Sequence, residues 1–300
     1  VQGARELLDS PGEFWLGGGY LHYRPRRLPI EAQEILVPGP SQQYSEAIVA
    51  IHGTSAANTA HDLEFEGLTL AYTSSRGSGF YVRDAERIAI RGNRVRDVGG
   101  IGVALHGASR DNVVAGNLIH DVGSDGVNLY GEAAIGYPRG NTVTNNHIHH
   151  VGRVRGDNNG VTVVRGADNV VSHNLIHDSP REGIGAFGSL SREGPPVQNT
   201  TGNTIAHNDI SRAMTDSQDG APIHVGGIGP DNSIVGNRIH HSALAFSYGN
   251  GIYLDITNLQ TTVSGNVVHD LQQSVPDGIT YAAIHVTGDG ANVVNNVVAG

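Results

Sequence analysis

The residues best suited to chemistry lie in a short strand phrase that the chain keeps repeating. The phrase has the form Gly, apolar, any residue, apolar. It reads GVAL at 102–105, GVNL at 126–129, GVTV at 160–163 and GIGA at 183–186, then PIHV at 222–225, GIYL at 251–254 and AIHV at 283–286. Side chains alternate across a strand, so the apolar pair points inward and the residue between them points out. With the next outward residue, the copies present Ala104 and His106, Asn128 and Tyr130, Thr162 and Val164, and Gly185 and Phe187. His224 and Gly226, Tyr253 and Asp255, and His285 and Thr287 follow. The early copies are bland, whereas the last three put two imidazoles, a phenol and a carboxylate side by side. Flat ring faces and convergent hydrogen-bonding groups are what a site for a sugar requires.

Carboxylates gather at the same place. Asp219 comes three residues before the PIHV strand and one repeat ahead of Asp255, and Asp157 stands in the same relation to GVTV. Two carboxyl groups flanking one bond can hydrolyse a glycoside, one as acid and the other as nucleophile or base. Asp216 and Asp277 lie in the longer loops around 212–221 and 271–282. Aspartate is also a common turn residue, so the pairing of Asp219 with Asp255 carries more weight than any one of them.

A second repeated phrase defines the elements that position these groups. It runs Asn, apolar residues, Asn, then often Ile-His: DNVVAGNLIHD at 111–121, GNTVTNNHIHH at 140–150, DNVVSHNLIHD at 168–178 and GNTIAHNDIS at 202–211. DNSIVGNRIHH at 231–241, TTVSGNVVHD at 261–270 and ANVVNNVVAG at 291–300 continue it, and IRGNRVRDV at 90–98 is a half-copy. The second Asn falls at 93, 117, 146, 174, 208, 237, 266 and 296, in steps of 24–34 residues. A long period built from three- and four-residue strands between turns predicts an all-β, stacked parallel β-helix. One solenoid domain is expected over 1–300, less regular through 1–80 and regular from 81 to 300. The recurring Asn is expected to shape the turn and to bond amide to amide along the stack. His120, His149, His177, His240 and His269 share one slot. Coils stack about 4.8 Å apart, so such a ladder does not converge on one ion, and no metal or other cofactor is expected.

Composition narrows the partners. The net charge is −10 and all 19 basic residues are arginine, which disfavours a nucleic-acid backbone and a polyanionic glycan. There is no cysteine to form disulfides, and no apolar run reaches a membrane span. The chain opens on Val1 without a signal peptide and stops within a repeat at Gly300, which predicts a piece trimmed at both ends.

Several segments resemble secreted right-handed β-helix glycoside hydrolases of the pectin-lyase-like superfamily. PGEFWLGGGYLHYRPRR at 11–27 is similar to their "GEWYLD…G.LYY.P", with ELLDSPGEF and LEFEGLTLAYTS at 63–74 in keeping. NLIHDSPREGIGAFG at 174–188 resembles "IHD.PR.GI", SQDGAPIHVGG at 217–227 resembles "D.GAIY..G", and NGIYLDIT at 250–257 resembles "GIYLDD". The likeness is greatest to glycoside hydrolase family 141, the fucosidase and xylanase type. It implies that Asp219 and Asp255 are the catalytic pair. The chain departs from the pattern at Ala221-Pro222, at His224 in place of Tyr, at Ile256 in place of the second Asp, and at Trp15-Leu16-Gly17.

The expectation is therefore a secreted glycoside hydrolase acting on a plant or microbial polysaccharide or oligosaccharide. His224, Tyr253 and His285 would bind the sugar, together with Asp157, Arg181 and Glu182. A polysaccharide lyase or uronan epimerase is the first alternative, although the stripe offers no Lys or Arg to neutralise a uronate. A non-catalytic glycan-binding solenoid is the second.

Overall fold

The computed structural model describes residues 5–35, 47–188, 200–244, 249–256, 259–273, 281–287 and 290–300; Asp277 lies outside them. The repeat predicts one solenoid over 1–300, whereas by contacts the chain divides into Val1–Pro38 and Gly39–Gly300. In the first unit Phe14–Gly17 pairs antiparallel with Tyr20–Tyr23. Gly18 and Gly19 make the two-residue turn with φ of 59° and 81°, the left-handed geometry that joins tightly linked strands.

The second unit is a parallel β-helix of three nine-stranded sheets. One coil shows how the sequence does this. Val113–Ala115 lies in the first sheet, Leu118–His120 in the second and Val127–Tyr130 in the third. Each strand pairs in parallel with its equivalents one coil away, so Val114 meets Val143, Ile119 meets Ile148 and Leu129 meets Val163. These inward residues are fully or almost fully buried and form one continuous core. Burying each such side chain stabilises by about 1.5–3 kcal/mol before chain entropy is counted.

The Gly that opens the third-sheet phrase is a packing requirement. A Cβ on Gly126 would stand 2.6 Å from Gly160 O and 2.4 Å from Ile148 Cγ2. At this coil the neighbours approach too closely for a side chain, whereas Pro222 and Ala283 fill the same position on later coils.

Two asparagine ladders run through the corners. Asn117 is typical: its backbone N–H and its Nδ2 both donate to Asn146 Oδ1, at 3.0 and 2.9 Å, and Nδ2 also donates to Ile90 O at 2.9 Å. Asn112, Asn141, Asn169, Asn203 and Asn232 form a parallel ladder of the same design. Amide-to-amide bonding is as expected, but the left-handed backbone is not on these asparagines. It falls on the residue before each, such as Gly116, Asn145, His173 and His207. The bend needs a residue that tolerates αL, and the ladder Asn needs burial, so the two tasks fall on neighbours.

The histidine slot is a column of rings, though not an unbroken one. His120, His149 and His177 stack at 5.0 and 4.9 Å, and His240 stacks on His269 at 5.2 Å. Between the two groups the register places Ser211.

Candidate functional site

The outward stripe of the third sheet follows the register read from the sequence. Ala104, Asn128, Thr162, Gly185, His224, Tyr253 and His285 are successive Cα partners, and Phe187, Gly226 and Asp255 form the adjoining row. A cleft of about 450 Å³ opens where these rows meet the turns that precede the strands. Asp157, Arg181, Glu182, Asp219, His224 and Asp255 all line it, together with Asp125, Asn159, Thr162 and Phe187. Tyr253 and His285 are not part of that lining; they stack behind His224.

Asp255 and His224 are held from several sides. The imidazole lies flat against Tyr253, with ring centres 4.8 Å apart, and takes the edge of Phe187 at 5.1 Å. Tyr253 stacks in turn on His285 at 4.7 Å, and its hydroxyl donates to Asp255 Oδ1 at 2.9 Å. His224 Nδ1 donates to Glu182 Oε1 at 3.0 Å, while Nε2 faces Asp255 Oδ2 at 3.9 Å, an ion-pair distance too long for a hydrogen bond. Burial works against the charged imidazole, yet Asp255 and Glu182 outweigh it and raise the His224 pKa. For Asp255, burial favours the neutral acid, but His224 and the Tyr253 hydroxyl prevail and lower its pKa. Both shifts favour an ionised carboxylate beside a protonated imidazole.

Glu182, expected among the sugar-binding groups, is wholly buried. It accepts from Arg181 Nε at 2.9 Å on the same oxygen that receives His224. Its Oε2 and His224 Nε2 are buried without a hydrogen-bond partner, two such atoms side by side in one cleft. Glu182 therefore positions and charges His224 from below. Tyr253 is likewise buried, and its hydroxyl is used on Asp255 rather than directed into the cleft. Asp219 stands at the rim, exposed, on a left-handed bend with φ of 55°. Asp157 is also exposed and accepts from Asn158 Nδ2 at 2.9 Å.

Sequence reasoning missed Asp125. It occupies the residue before the third-sheet Gly, in register with Asn159 and Glu182, and this buried row forms the cleft floor. Asn159 N–H donates to Asp125 Oδ1 at 2.7 Å, and Asn128 Nδ2 donates to Oδ2 at 2.6 Å. Burial nevertheless pushes Asp125 up to about 6. The signal is a D/N/E residue directly before the strand Gly at 126, 160, 183 and 251, a turn position rather than an outward strand position.

The Right handed beta helix region family matches residues 45–201, more than half of the chain, and the chain belongs to that family. A search of curated proteins gave no match. Among solved structures, a "Glycoside hydrolase" superposes with a TM-score of 0.71 at 18% identity, over 96% of this chain and 58% of that one. This chain thus spans less than two thirds of that protein's length. The Azotobacter vinelandii mannuronan C-5 epimerase AlgE4 A-module gives a TM-score of 0.52 at 18% identity, covering 85% of this chain and 75% of its own. An alginate lyase from Paenibacillus sp. gives 0.50 at 15%, covering 84% and 82%. At such identities the likeness is one of fold.

Proposed function

We propose that this protein is a secreted glycoside hydrolase that cleaves a plant or microbial polysaccharide or oligosaccharide in the third-sheet cleft. The observation that carries the reading is the joint placement of Asp219 and Asp255 on one cleft, with Asp255 held ionised by His224 and Tyr253. A lowered pKa suits the nucleophile or base, so Asp255 takes that role and Asp219 the acid. The acid protonates the glycosidic oxygen as the C1–O bond breaks. Asp255 either attacks C1 or draws a proton from the water that does, and the carboxyl separation in the substrate complex selects between these outcomes. The resemblance to family 141 and the solved glycoside hydrolase neighbour favour the same chemistry. A substrate that is a polymer places the reaction outside the cell.

Arg181 gives a second reading some support. The outward stripe itself offers no Arg or Lys, but Arg181, expected among the sugar-binding groups, lines the cleft and could neutralise a uronate carboxylate. A lyase or epimerase would then use an imidazole or phenol at the adjoining coil as its base.

Reducing-end release and absorbance of unsaturated uronate, measured across a panel of neutral and acidic glycans, separate these readings. Reducing ends without absorbance, lost in both Asp255→Asn and Asp219→Asn with the fold intact, is the expected result. Full activity in the double variant overturns the pair, and absorbance at the double bond overturns hydrolysis. Glycan binding without turnover leaves a non-catalytic solenoid.

A further inference from the structure

The other concentration of reactive side chains is the histidine column, which ends the second-sheet strands. The residue after each column member has a left-handed backbone: Asp121, His150, Asp178, His241 and Asp270 have φ between 50° and 55°. That bend turns its side chain back onto the column ring. On three coils the returning group is a carboxylate: His120 Nδ1 donates to Asp121 at 2.8 Å, His177 to Asp178 at 2.6 Å and His269 to Asp270 at 2.7 Å. On the coil of His149 it is a second imidazole, with His149 Nδ1 and His150 Nδ1 2.8 Å apart.

A column of rings by itself cannot surround an ion, because its members only repeat along the stack. His150 changes this by supplying a nitrogen from the side. His177 lies parallel to His149 one coil on, and one ring nitrogen from each of His149, His150 and His177 falls within 4.8 Å of the others. We propose that His149, His150 and His177 form a binding site for a divalent transition-metal ion of the zinc or nickel type, clipping two adjacent coils together.

Nitrogens bound to a tetrahedral zinc at 2.0–2.1 Å stand about 3.3 Å from one another. The three found here lie within 4.8 Å of one another, with the His149 and His150 Nδ1 atoms 2.8 Å apart, and the His150 side chain is 44% exposed. Arg212 holds Asp178 through two hydrogen bonds of 2.7 and 2.8 Å, and its Nη2 lies 3.0 Å from His177 Nδ1; His177 Nε2 lies 2.8 Å from His147 Nε2, a contact that a bound metal would replace. Imidazole donors select zinc, nickel or copper over calcium and magnesium. The His240–His241 pair repeats both the sequence motif and the close contact, with Nδ1 atoms 2.7 Å apart, but among the described residues no triad of ligand atoms converges there. It supplies the internal control.

The test is calorimetric titration of the full chain with zinc chloride and with nickel chloride, beside His150→Asn and His241→Asn. Asn tolerates the left-handed backbone at both positions, so both variants keep the bend. One equivalent of metal is expected, with affinity at least about tenfold weaker in His150→Asn and unchanged in His241→Asn. Visible absorption of the cobalt-loaded wild type, lost in His150→Asn, is the matching signature and needs no comparison of stabilities. Absence of saturable binding overturns the site. Equal loss in the two variants also does, since it means scattered surface histidines.

Discussion

Replacing Asn146 by Ala tests how the solenoid holds its corners. Asn146 is 1% exposed, and its side chain takes part in four hydrogen bonds. Oδ1 accepts from the N–H and the Nδ2 of Asn117 at 3.0 and 2.9 Å; Nδ2 donates to Val114 O and to Asn174 Oδ1, both at 2.9 Å. Truncation leaves two buried donors without partners, the Asn117 N–H and one hydrogen of its amide; the Val114 carbonyl keeps the N–H of Thr144 from the parallel ladder. Asn174 Oδ1 keeps the Asn146 backbone N–H at 3.0 Å. Each stranded group costs about 1–3 kcal/mol, and the two together come to roughly 2–5 kcal/mol once some relaxation is allowed. The same substitution at the last rung, Asn296, should cost about 1 kcal/mol, because that residue is half-buried and water can replace the amide. Urea unfolding of wild type, Asn146→Ala and Asn296→Ala, followed by far-UV circular dichroism, measures both. Equal midpoints for the two variants, or a loss below about 1 kcal/mol at Asn146, would refute the claim that the buried ladder must be fully bonded.

Two further predictions concern charge at the cleft. Asp125 has a folded pKa raised to about 6 by burial, above its unfolded value, so its contribution to stability is full at low pH and is lost as pH rises toward 6. Asp125→Asn should therefore flatten the pH dependence of the urea midpoint between about pH 4 and pH 6; parallel curves for variant and wild type count against it. Glu182→Gln removes one of the two carboxylates that raise the His224 pKa, so the His224 ring should titrate at lower pH by NMR. An unchanged titration would mean that Asp255 alone sets the charge.

Much of this architecture follows from the chain's own periodicity. The Asn and Gly-apolar phrases set strand length, turn position and coil height, because a two-residue alternation leaves one way to bury Val114, Ile119 and Leu129. That alternation also identified the outward stripe from Ala104 to His285 and the coil neighbourhood of Asp219 and Asp255. Which of those groups face the cleft was not legible. Tyr253 and Glu182 have outward or turn positions in the sequence, yet both are buried and act on Asp255 and His224. Exposure depends on what neighbouring coils lay over a residue, and no local pattern encodes that. Asp125 escaped for the same reason, since its burial against Asn159 arises 34 residues away. The left-handed bends after the histidine column are likewise invisible in composition. His150 reads as one more polar turn residue until the backbone swings its ring beside His149 and, through the stack, toward His177. Period and polarity settled the scaffold because they are properties of single coils, whereas the contacts between coils required the tertiary stack.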